Sequence, residues 1–431
     1  MTRTALAILA FTVSCGGKGD APDSADTDTD TDADTDTDAD SDTDTDADTD
    51  LAGGCAGTAY ETDPLCTEWM VNDDGEVAVN LTDPTGGAVD VNVQVVNVVD
   101  DGGTDYVAIE ASGVPNYSHE VSAADMAFLN DRFATYPGDF TGSVLISQGE
   151  TIELGQDIGY DSNQNCNNNN AFGWWPPGPE CPTDQRYDMQ FPANPSPATG
   201  DCYTGLGEMG LFVNGTAVYN WFDGMTYAGM DWHNLAPKFE TWDVGLCGGH
   251  AQMQGGYHQH GIPNCLAEQL GENGSGHSPI YGFAADGYPI YGPWHANGVA
   301  TESCWTERDY EDPLSETGCG GAGVRSCTLN DNTDPSAGTT QIALGPATFD
   351  AVTSLSGKQI TAVSGVYYED YWFDSTCTAQ GDEYLDEHNG HDHDSYGYHY
   401  HLTTRFPYNV GPTFYGDLPA GGFVTCNASP W

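Results

Sequence analysis

"NGHDHDSYGYHYHL" (residues 389–402) closes on alternating tyrosine and histidine, in a chain of 431 residues that has only 12 histidines. Side chains of an extended segment face alternate ways, so His399 and His401 project to one side and Tyr398 and Tyr400 to the other. The pattern has an earlier partner, "GGHAQMQGGYHQHG" (248–261). Aligned without gaps, both segments read Gly-His-x5-Gly-Tyr-His-x-His. Gly249, His250, Gly256, Tyr257, His258 and His260 match Gly390, His391, Gly397, Tyr398, His399 and His401. Each copy reads as a Gly-flanked loop leading into a short strand. The strand sets two imidazoles on one face, and the loop returns the upstream histidine toward them.

Three convergent imidazoles without thiolates suit copper or zinc. The candidate ligands are therefore His250, His258 and His260 in one triad and His391, His399 and His401 in the other. The triads hold separate ions or face each other across a pseudo-two-fold. Asp286, Asp386 and Asp392 are candidates for steadying a ring nitrogen. His393 forms a further His-x-His with His391, but Gln252 at the matching position of the first copy marks it as accessory.

Between the copies lies "HSPIYGFAADGYPIYGPW" (277–294), which reads as strand, turn, strand with Asp286-Gly287 at the turn. His277 and Asp286 are the weaker catalytic candidates, His277 as a ligand or general base. Ser278 lacks the glycines of a nucleophile elbow and precedes Pro279, which argues against a serine hydrolase.

Further strands are expected at "VDVNVQVVNVV" (89–99), "YVAIEASG" (106–113) and "MGLFVNGTAVYNWF" (209–222), the last turning at Asn214-Gly215. One helix is expected after Ser122, which caps it in a box with Asp125. Met126, Leu129 and Phe133 share a face before Pro137-Gly138 ends it. "SNQNCNNNNAFGWWPPGPECP" (162–182) reads as a long loop pinned by disulfides. The fold class that follows is mainly β: a loop-rich, disulfide-stapled β-sandwich or barrel-like domain with an internal pseudo-repeat and few short helices.

The chain carries 66 Asp plus Glu against 9 Lys plus Arg, and 15 of the aspartates lie between Asp20 and Asp50. Such a surface repels nucleic acid and anionic lipid and concentrates cations. The N-terminus "MTRTALAILAFTVSCGGKGD" has a basic residue and an apolar run too short to span a bilayer. Residues 1–14 read as a signal peptide of bacterial lipoprotein type, with Cys15 as the lipidated first residue of the mature chain. Residues 15–52 are the anchor and an acidic tether that self-repulsion keeps extended. Residues 53–104 form an N-terminal β region, and 105–431 the main domain. The expected location is the cell envelope or cell surface, with membrane contact only through the lipid. Of 13 cysteines, setting Cys15 aside leaves an even number, enough for six disulfides in an oxidising compartment. Cys55 with Cys66 and Cys166 with Cys181 are near neighbours able to pair. No CxxC occurs, which argues against a thiolate zinc site.

These residues resemble the YHYH family of secreted proteins. The resemblance rests on the 277–294 segment, "LDEHNGH" (385–391), "GYHYHLT" with "FPYNVG" (397–411), the "CGGH" and "GYHQH" of the first copy, "ASGVPNYSH" (111–119) and "GLFVNGTAVYN" (210–220). It spans roughly residues 105–425 and implies a domain extent, since the family carries no assigned reaction. The chain has His388 where the family has a cysteine before Asn-Gly-His, and Pro412 where one follows Phe-Pro-Tyr-x-x-Gly. One disulfide implied by the resemblance is thus missing, and a Cys377–Cys426 pair is expected in its stead.

Three functions are in competition. The first is an exported lipoprotein binding copper or zinc through the two triads, with affinity collapsing as imidazoles protonate below about pH 6. The second is an enzyme on the same histidines, a metal-dependent hydrolase or copper oxidase. The third is a carbohydrate or protein recognition module built on 10 tryptophans and 23 tyrosines.

Overall fold

The computed structural model describes residues 54–161, 173–229, 231–343 and 345–427, apart from 348, 349 and 355. The signal peptide, Cys15, the tether and Cys166 lie outside the described residues.

The Val-rich run makes two strands rather than one. Residues 88–90 are a short strand, and β1 (Val93–Asp101) begins after Asn92, whose φ of 63° breaks the extended geometry. β1 pairs with β2 (Thr104–Ala111), and β2 pairs with β3 (Tyr187–Pro192). The helix α1 (Ala123–Thr135) has its reciprocal Ser122–Asp125 capping box.

The central sheet has eight strands: β4 (Glu208–Phe212), β5 (Ala217–Tyr219), β6 (His250–Ala251), β7 (Tyr257–Gln259), β8 (Ile280–Ala284), β9 (Pro289–Tyr291), β10 (Gly390–Asp392) and β11 (Tyr398–His401). They lie in the order β6-β7-β5-β4-β8-β9-β11-β10. The sheet is open, and no closed barrel occurs among the described residues. Every residue of β5 and β8 is buried, so these strands read as continuous apolar runs.

The order is palindromic. In each half a tight hairpin (β4-β5 or β8-β9) is followed by a histidine hairpin (β6-β7 or β10-β11), whose second strand docks parallel to the second strand of the first hairpin. At the centre Gly210 pairs with Ala284, Leu211 with Phe283 and Phe212 with Gly282. Leu211 to Asn220 align without a gap on Phe283 to Gly292, sharing Gly215 with Gly287 and Tyr219 with Tyr291. Leu211 and Phe283 are thus equivalent positions that pair with each other, and the pseudo-two-fold passes between them. A Cβ on Gly210 would run into the Phe283 carbonyl, and one on Gly282 into that of Leu211. The close approach of the two central strands requires both glycines.

One apolar core joins β1, β2, β3 and the sheet through Val93, Ile109, Phe191, Leu211, Phe283 and Tyr400. Two smaller clusters, around Trp221 with Phe406 and around Trp232 with Tyr367, lie elsewhere in the body. Disulfides join Cys55–Cys66, Cys202–Cys426, Cys247–Cys265, Cys304–Cys377 and Cys319–Cys327. Cys181 is disulfide-bonded as well. The expected Cys377–Cys426 pair is thereby corrected, because both cysteines have other partners. Where the resemblance implies a disulfide, His388 and the segment around Pro412 are joined by polar contacts. The His388 carbonyl accepts from Gly411 N at 2.8 Å, and His388 Nδ1 meets Thr413 Oγ1 at 2.8 Å.

Candidate metal sites

The repeated motif is explained residue by residue. In each hairpin the upstream histidine sits opposite the first histidine of the second strand: His250 pairs with His258 and His391 with His399. The glycine before it leaves room for the tyrosine. A Cβ on Gly249 would lie 2.8 Å from Tyr257 Oη, and one on Gly390 2.5 Å from Tyr398 Oη. The later glycine supplies a carbonyl two residues back that fixes a ring: His258 Nδ1 donates to Gly256 O at 3.0 Å and His399 Nδ1 to Gly397 O at 2.8 Å. The last histidine of each copy donates from Nδ1 to the residue after the neighbouring strand, His260 to Asn220 O and His401 to Gly292 O. Asn220 and Gly292 are equivalent in the duplication.

The tyrosines face away, as alternation requires. Tyr400 donates to the buried Asp286 at 2.5 Å, and Tyr398 donates to Asp386 at 3.0 Å. In the first copy Gln259 replaces Tyr400 and bonds Tyr117 and Thr216. Asp286 also accepts from Tyr288 N and Gly416 N, so it anchors a turn and does not reach the histidines. Burial raises its pKa to about 6 against those bonds. The rings are steadied by backbone carbonyls, where Asp286, Asp386 and Asp392 had been expected.

In the first half the structure brings His250, His258 and His260 together as the sequence implies, and adds Glu240, which follows the short helix Ala236–Phe239. His258 Nε2 lies 3.0 Å from His250 Nε2 and 3.2 Å from His260 Nε2. Glu240 Oε2 lies 3.1 Å from His250 Nε2 and 3.0 Å from His260 Nε2. A tetrahedral ion with bonds of about 2.0–2.1 Å needs ligand atoms about 3.3 Å apart, close to these separations. Burial pushes the Glu240 carboxyl up, but His260 and His250 outweigh it and hold it well below the usual carboxylate range. Burial, with His250 and His260 beside it, holds His258 well below the usual imidazole value.

In the second half the trio differs from expectation. His399 and His401 converge with His277, while His391 groups instead with His295 and His393. His277 precedes β8 and its Nδ1 donates to Ser278 O at 2.9 Å, which aims Nε2 at His399 Nε2, 3.3 Å away. His399 and His401 meet Nε2 to Nε2 at 3.1 Å. All three Nδ1 atoms contact carbonyls, which only accept, so each Nδ1 carries its proton and each neutral ring turns a bare Nε2 lone pair inward. Burial pushes His399 down to about 3 and His401 well below its usual value, so the rings are neutral. Three lone pairs facing one another with no proton between them are mutually repulsive unless a cation or a proton donor sits among them.

Glu240 and His295 carry no sequence signal: Glu240 is one of 66 acids in no motif, and His295 is a lone histidine. Comparison with curated proteins and with solved structures gives no match. The family model described as YHYH protein matches residues 188–414, a span that includes both histidine hairpins, Glu240, His277 and His295. With more than half of its length so matched, the chain belongs to the YHYH protein family.

Proposed function

We propose that the protein binds transition-metal ions, zinc or copper, at the Glu240–His250–His258–His260 site and at the His277–His399–His401 site. The carrying observation is that Nδ1 of His277, His399 and His401 is committed to backbone carbonyls while their Nε2 atoms converge. A donor set of imidazoles with one carboxylate and no thiolate matches the preference of zinc and copper. The first site offers four protein ligands, the second three, which leaves a position open. The disulfides are consistent with an extracytoplasmic protein, and lipidation of Cys15 would hold it at the cell envelope.

Elemental analysis of the purified mature chain, with titration of zinc and copper into chelator-treated protein, tests this reading. Bound metal is expected in the wild type, with His258→Ala and His399→Ala each removing one equivalent. A protein that takes up no metal beyond that of the double variant refutes it.

A second reading, a metal-dependent hydrolase, draws on one observation. The first site borders a cavity of about 590 Å³ that Asp223 and Asp243 also line. Burial raises Asp223 to about 7 and Asp243 to about 6, the range in which a carboxyl exchanges protons at neutral pH. An ion there that takes a substrate oxygen as a fifth ligand would polarise an ester or phosphoester, and Asp223 would hold or release the proton. Loss of hydrolysis in Asp223→Asn with unchanged metal content supports this; absence of any turnover on ester and phosphoester panels removes it. The recognition reading is less favoured, because Trp174, Trp175, Trp221 and Trp232 are buried and do not serve a binding face.

A further inference from the structure

His391, His393 and His295 are left over once the two sites are assigned. They form a third group, with one ring nitrogen from each lying within 4.8 Å of the others. The sequence places His391 and His393 two residues apart on one face of an extended segment, and His295 comes from the short strand Trp294–Ala296. That strand begins two residues after Gly292, whose carbonyl holds His401. The third group is therefore built from the same two chain segments as its neighbour.

The three rings also share a deficiency. His295 Nδ1, His391 Nε2 and His393 Nδ1 are each buried and have no hydrogen-bond partner. A buried imidazole nitrogen without a partner leaves the loss of its hydration uncompensated. Three in one cluster mark a place where something absent from the protein chain completes them. The first copy has no such arrangement, because Gln252 stands where His393 does and spends its amide on Tyr219 Oη at 2.8 Å.

The group abuts the second site. The His391 ring centroid lies 4.8 Å from that of His399 and 5.1 Å from that of His401, and the His277 and His393 rings are parallel at 6.0 Å. Of the second site only His277 is partly exposed, whereas His295, His391 and His393 all are, so the third group lies nearer the solvent.

We infer that the second half of the sheet holds two adjacent metal ions, one on His277, His399 and His401 and the other on His295, His391 and His393. The inference rests on the metal-binding reading and deepens it. Each ion has three imidazoles and an open position, and a small bridging anion such as hydroxide is the ligand class such a pair takes. The first half, with its carboxylate and four donors, holds a single ion.

Copper(II) loading of the whole disulfide-bonded protein, with glycine present to strip ions from the acidic surface, tests the arrangement. The expected ratio is three coppers per chain. Magnetic coupling of the adjacent pair is expected to leave the integrated spin-resonance signal well below the total copper. His295→Gln with His393→Gln should lower the ratio to two and restore a signal equal to the copper content. The spin measurement on the wild type stands even if that variant fails to fold. Two coppers per chain with full signal overturn the pair while leaving metal binding intact, as do three uncoupled coppers. No bound copper overturns both.

Discussion

In the metal-free protein His399 is expected to stay neutral, as its Nδ1–H tautomer, at pH values where an ordinary histidine is charged. Its side chain is fully buried, its Nδ1 is spent on Gly397 O, and burial places its pKa at about 3. The unfolded chain has a histidine near about 6.5. Below that value the unfolded state takes up a proton that the folded state refuses, so stability falls as pH drops from about 6.5 toward about 3. At pH 5 the loss from this one ring is about 2 kcal/mol. His391, pushed down to about 4, adds less than its shift implies because it is partly exposed. Proton competition for the second site is accordingly deferred below the pH 6 expected of ordinary imidazoles. Nitrogen-15 histidine spectra of chelator-treated protein read tautomer and charge directly, and urea unfolding at pH 7 and pH 5 reads the free energy. His399→Gln should lower the pH 7 to pH 5 stability loss by about 2 kcal/mol. A His399 that titrates near pH 6.5, or carries its proton on Nε2, would refute the argument for a preformed lone-pair cluster.

Gly390→Ala would place a methyl 2.5 Å from Tyr398 Oη and 2.6 Å from His399 O; thermal unfolding should show a loss of about 1–3 kcal/mol, with metal affinity weakened in the second half and unchanged at Glu240. Tyr400→Phe removes the 2.5 Å bond to buried Asp286 and should cost about 1–3 kcal/mol, measured by denaturant unfolding, with metal stoichiometry retained. The Cys247–Cys265 disulfide closes a segment of sequence separation 18 around the first histidine hairpin. Its double serine variant should lose about 3 kcal/mol and bind metal more weakly at the first site only, as isothermal titration of each site's histidine variant would show.

The repeated histidines, the two tight hairpins and the capped helix were legible because each depends on local chemistry: alternation, an Asn-Gly or Asp-Gly turn, a Ser-x-x-Asp box. His258 with His260, and His399 with His401, share a strand face by spacing alone. The third ligand was legible in the first half only, since its place depends on which loop reaches the strand. His250 arrives across the hairpin, whereas in the second half His277 arrives from ahead of β8 and His391 turns to the neighbouring group. Glu240 reaches its histidines only through tertiary packing. The larger duplication was hidden because Leu211 to Asn220 and Phe283 to Gly292 agree mainly in shape and turn chemistry rather than in identity.

The pairing of Leu211 with Phe283 has the form of an isologous subunit contact, in which one patch meets its own copy. Carried within a single polypeptide, that contact no longer depends on protein concentration, and the identity of its two sides is no longer enforced by symmetry. A true homodimer would have to repeat any change on both flanks. Here one flank has a carboxylate among the donors of its histidine group, and the other has gathered six imidazoles into two all-histidine groups.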